Sequence, residues 1–113
     1  MAELADLRRI ALALPDAVES PGDPHFTVRG KQFVHTWRER VHPKKTKVPR
    51  PDVLVVQVPD LTDKEALIAE RPDVFFTEPH YDGYRMVLVR LREVDVDTLA
   101  EVVTDSYRLV SGG

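Results

Sequence analysis

At 113 residues the chain has room for one hydrophobic core and hardly for two, and its 42% apolar and 31% charged content is that of an ordinary globular domain. It has no cysteine, which excludes disulfides and cysteine-ligated zinc and makes a reducing, cytoplasmic setting the expectation. The net charge of −3 is uneven, +5 over residues 38–50 and −8 over the rest, so the mean alone does not exclude a polyanionic partner.

Residues 2–14 read as an amphipathic helix, with Leu4, Leu7, Ala11 and Leu14 at helical spacing and Ile10 widening the stripe. Pro15 ends it by pushing the preceding residue out of helical geometry. The segment shows no basic-then-apolar signal pattern, and no apolar run approaches the roughly 20 residues that a bilayer needs. Pro21-Gly22-Asp23-Pro24 is a turn, with room for a short strand around Val18 before it. Phe26–Val28 and Gln32–Trp37 read as the strands of a hairpin turning at Arg29-Gly30 or Gly30-Lys31, with Phe33, His35 and Trp37 on one face of the second.

Residues 38–52 hold three prolines and six basic side chains and read as a loop. Val53–Val58 suits a central strand. Thr62-x-x-Glu65 has the form of a capping box, opening a helix that runs to about Arg71. Val74–Thr77 is a short strand, and another starts at Tyr84 or Arg85 and runs to Leu91. Asp95 or Asp97 caps a last helix to about Val110, whose inner face is Leu99, Val102, Val103, Ser106, Tyr107 and Val110. The order α-β-β-β-α-β-β-α predicts a single α+β domain over residues 1–113, with one antiparallel sheet and helices mainly on one face.

Several segments in this order resemble the MmcQ/YjbR family of small bacterial proteins. They are Ala11–Pro15, Phe26–Phe33, Arg71–Phe76, Pro79-His80-Tyr81-Asp82-Gly83-Tyr84, Val87–Leu91 and the closing Leu99–Val110 helix, and the His-Tyr-Asp-Gly block is the most specific. The resemblance implies a fold like the type III secretion chaperones and the CyaY-like proteins. It also implies DNA binding through a double-wing motif of sheet and loops. The basic loop of this chain is longer than the resemblance implies at that hairpin.

Two sets of residues are candidates for function. Arg38, Arg40, Lys44, Lys45, Lys47 and Arg50 form a basic arm suited to weak, phosphate-directed DNA binding; the same charges would also keep a sheet edge soluble. Trp37, His80, Tyr81, Tyr84 and Arg85 could line a pocket if the two hairpins are neighbours, for a small ligand or an unpaired base. Equally, aromatic residues at strand ends can simply pack. The four histidines lack paired metal-ligand spacing, although His25 and His35 could meet across the hairpin, and no nucleophile elbow or Gly-rich phosphate loop occurs. Neither an enzyme, a metal nor a cofactor is expected. A protein-interaction or chaperone-like adaptor, monomeric or homodimeric, is the alternative to nucleic-acid binding.

Overall fold

In a computed structural model, residues 2–39 and 47–112 are described. They form α1 (Leu4–Leu12), β1 (Ala17–Ser20), β2 (His25–Val28), β3 (Lys31–Glu39), β4 (Val48–Gln57), α2 (Leu61–Glu70), β5 (Phe75–Phe76), β6 (Met86–Arg90) and α3 (Val96–Ser111). The strands make one open antiparallel sheet in the order β1-β2-β3-β4-β6-β5. The α+β architecture is the expected one, with β1 as a sixth strand at the place that Val18 marks.

One sheet face carries the main core. Phe26, Val34, Leu54, Val56, Val87 and Val89 lie fully or almost fully buried there against Leu7 and Ala11 of α1 and Leu99 and Val103 of α3. Alternation along strands and helical spacing along α1 and α3 put these side chains on facing surfaces, where burial removes apolar area from water. A smaller cluster of Val53, Val55 and Leu88, with half-buried Trp37, Phe76, Tyr81 and Met86, contains no helical residue and occupies the other face.

The β2–β3 hairpin turns through Arg29 (φ 52°) and Gly30 (φ 79°), a pair of left-handed residues that matches the twist of the strands. Pairing slips beside it, from Phe26–Val34 to Thr27–Gln32, leaving Phe33 as an extra residue. That bulge corrects the expected face assignment. Phe33 turns into the main core edge-to-face against Tyr107, with ring centres 5.4 Å apart, while His35 and Trp37 belong to the opposite face. Ser106 on α3 accommodates the irregularity: its hydroxyl donates to the Phe33 carbonyl (2.6 Å) and accepts from the Gln57 N–H (2.9 Å).

The expected 38–52 loop is shorter than predicted. Trp37, Arg38 and Glu39 pair with Arg50, Pro49 and Val48, extending the hairpin. Prolines are tolerated because β6 begins to pair only at Val53, so the opposite flank of this part of β4 is a sheet edge. The helix α2 is capped by Asp60, whose carboxylate accepts from the Asp63 N–H (2.8 Å), in place of the predicted Thr62. Asp95 caps α3 as expected. The last strand begins at Met86, leaving Tyr84 and Arg85 in the preceding loop.

Candidate functional site

Strand β3 brings His35 and Trp37 to the face without helices. His35 lies directly across from His25 of β2, whose Nδ1 is 2.9 Å from the Asp23 carbonyl. Burial, and then the charge of the neighbouring His25, lower the His35 pKa to about 4, so its imidazole is neutral at physiological pH. Among the described residues, no group of three His, Cys, Asp or Glu side chains converges as a metal site would require.

Trp37 packs edge-to-face on Phe76 (5.9 Å between centres), and the Arg90 guanidinium lies 4.0 Å from the centre of the same Phe76 ring. The polar loop between β5 and β6 reaches this strip through Tyr81. A turn closed by the Tyr81 and Asp82 N–H groups on the Glu78 carbonyl (2.8 and 3.0 Å) shapes the loop, and Gly83 supplies a positive φ of 82°. Lys64, almost completely buried on α2, fastens it by donating to the carbonyls of Tyr81 (2.6 Å) and Tyr84 (3.0 Å). Burial of this ammonium depresses its pKa, a shift that Asp82 opposes. Burial, with Glu78 nearby, raises that of the Tyr81 phenol.

The result is a cleft with two lobes. The first, about 370 Å³, has His25, His35 and Gln32 in its lining; the second, about 430 Å³, has Trp37, Glu39, Glu78 and His80. Arg38, Lys47 and Tyr81 belong to both. The structure therefore brings together Trp37, His80 and Tyr81 of the sequence-derived set. Tyr84 and Arg85 are exposed and line neither lobe.

Two of the arm's cations are already matched by the protein's own carboxylates. Arg38 stands 3.3 Å from Asp23 and Arg50 stands 2.7 Å from Glu39. Lys47 is exposed and makes no ion pair among the described residues. Arg40, Lys44 and Lys45 lie outside the described residues.

Sequence reasoning missed the two counter-charges and Lys64, whereas the meeting of His25 and His35 across the hairpin is as expected. The Glu39–Arg50 pair follows once the hairpin is extended, because the two residues become near neighbours across it. Lys64 falls three residues after Leu61 and three before Leu67, on the apolar stripe of α2, which is an unusual place for a solvated lysine. Nothing local in the sequence pairs Asp23 with Arg38.

A family model described as YjbR matches residues 12–109. Uncharacterized proteins of Mycobacterium bovis and of Mycobacterium tuberculosis are each 37% identical to this chain over 115 residues, covering 95% of it and 87% of the relative. The crystal structure of Deinococcus radiodurans protein DR2400, with the domain DUF419, is similar at a TM-score of 0.72 and 24% identity, over 98% of this chain and 80% of that one; the likeness bears on the fold. Among the described residues, no helix is long and apolar enough to cross a membrane.

Proposed function

This chain belongs to the YjbR family, and on that premise we propose that it binds nucleic acid as an unpaired strand, stacking a base in the cleft and placing phosphates along the basic arm. The observation that carries this reading is one juxtaposition: Trp37, His80 and Tyr81 line the same lobe as Lys47 and Arg38. Aromatic faces beside cationic side chains are the combination that holds single strands without reading sequence. The two ion pairs favour an unpaired strand over a duplex. They reduce the charge that Arg38 and Arg50 can offer to phosphates, and stacking makes up part of what is lost. The arm's remaining cations in the sequence, Arg40, Lys44, Lys45 and Lys47, supply the salt-dependent part.

Trp37 is the only tryptophan, so its emission reports directly on the cleft. Titration with a thymidine oligonucleotide of about 12 nucleotides, within the range of known single-strand sites, should quench it. Affinity should fall with salt, and changing Lys44, Lys45 and Lys47 to Ala should flatten the log–log slope by up to about 2 units. Tyr81→Ala should weaken binding while leaving that slope in place. Equal affinity for a duplex of the same length, or no change in Trp37 emission on saturation, overturns the reading.

A further inference from the structure

A second concavity lies on the other side of the molecule's chemistry. An open groove of about 480 Å³ runs between α2 and α3, with Val58, Pro59, Ala66, Leu67, Val102 and Leu109 as its apolar lining. Its borders carry Asp63, Glu101 and Asp105 against one cation, Arg108, which already leans toward Asp105 at 3.8 Å. Helix α2 is poorly covered for an element with this many apolar side chains. Leu61 and Ala66 are exposed, Leu67 and Ile68 are only half-buried, and the one fully buried residue is Lys64. Across the groove, Leu109 keeps 45% of its surface exposed. Apolar side chains left facing each other across an open channel are what a helix-in-groove partner covers.

We propose that this groove is a docking site for an amphipathic peptide helix that carries apolar anchors on one face and Lys or Arg on its flanks, supplied by another protein. Charge complementarity selects that occupant. The carboxylates outnumber the cation three to one along the borders, so an acidic or neutral apolar segment would leave them unmatched while a basic one would pair with them. The length fits as well, since α2 has 10 residues and presents about three helical turns to a partner. No lining residue of this groove lines either lobe of the cleft, so the proposal is independent of nucleic-acid binding.

The probe is a fluorescein-labelled helical peptide of about 12 residues, with leucines at i, i+3, i+4 and i+7 and lysines flanking them. A second peptide replaces every lysine with glutamate. Fluorescence anisotropy with the intact chain should show saturable binding of the basic peptide and at least roughly tenfold weaker binding of the acidic one. Leu109→Asp should weaken binding of the basic peptide by removing an apolar contact, and the pair Glu101→Lys with Asp105→Lys should abolish the preference; since all three residues are exposed the variants should keep the native circular dichroism. Trp37→Ala should bind the peptide as the native chain does. The proposal is overturned if the two peptides bind equally or the groove variants bind like the native chain. It is overturned too if light scattering shows a dimer that Leu109→Asp dissociates, because the occupant is then a second copy.

Discussion

The two faces of the sheet differ in what their side chains are asked to do. On the helix-covered face, burial is nearly complete and the polar groups that enter are hydrogen-bonded, as with Ser106, which donates to Phe33 and accepts from Gln57. On the other face, three buried aliphatic residues sit among half-buried rings, facing histidines and ion pairs at the surface. Exposed pairs of that kind contribute little to stability, and half-buried rings leave area for a partner to cover. The fold's free energy is therefore concentrated on one face, which leaves the other able to carry recognition chemistry.

The largest test of that division compares two truncations. Leu99, fully buried on the inner face of α3, should cost about 2–5 kcal/mol on change to Ala, because a cavity is added to the lost burial. Met86, half-buried on the other face, should cost about 1 kcal/mol. Chemical denaturation of the two variants measures both, and equal losses would break the comparison.

Next in size is an effect of pH. The unfolded chain takes up a proton on His35 near pH 6.5, and the folded chain only near pH 4, so the unfolded state binds more protons between these values. The contribution of His35 is complete above pH 6.5 and is lost as the pH falls toward 4. Its upper bound is about 3 kcal/mol, reduced by the water that reaches a partly exposed ring. His35→Gln should flatten the stability–pH curve in that window. Asp6, Asp73 and Asp95, all held below the usual carboxylate range by hydrogen bonds, contribute their own loss at the more acid edge and remain in the variant.

A smaller effect belongs to the hydroxyl that seals the bulge. Ser106→Ala leaves the Phe33 carbonyl and the Gln57 N–H without a partner in a buried setting, a loss of about 1–3 kcal/mol in thermal or urea unfolding. Because the clamp lies on the helix-covered side, quenching of Trp37 by a bound strand should be unchanged. A loss of quenching would show that the two faces are coupled through β3.

Elements with a strong period were legible in the sequence, and sites that depend on register were not. The stripe of α1 and the inner face of α3 were readable because helical spacing repeats over several turns. The alternation of β3 misled at Phe33, since one extra residue reverses every face assignment before it and nothing in the sequence marks the slip. The same limit hid the Asp23–Arg38 contact, whereas the His25–His35 pair could be anticipated from the hairpin itself. Prolines in 38–52 read as a loop because the flank they occupy could not be recognised as an edge before the strand order was known. Trp37, His80 and Tyr81 were found as a set because the His-Tyr-Asp-Gly turn stood out from ordinary loop composition and Trp37 stood on a hairpin that could neighbour it, whereas Tyr84 and Arg85 were included by proximity in sequence alone.

The smallest predicted effect concerns α2, the element that serves both faces. Leu67 and Ile68 pack on the main core, while Lys64 holds the carbonyls of the Tyr81–Tyr84 loop above the other cluster. The sequence pattern points to Thr62 as its cap, but Asp60 makes the bond. Asp60→Ala should therefore cost about 1 kcal/mol, and Thr62→Ala, exposed in the first turn, less than about 0.5 kcal/mol. Fraying from the uncapped end reaches Lys64 within one turn, so amide exchange in residues 77–85 should speed up in Asp60→Ala while the strands facing α1 and α3 keep their protection. If exchange instead rises uniformly across the sheet, α2 is an integral part of the main core, and the loop over the cleft is not separately tethered through Lys64.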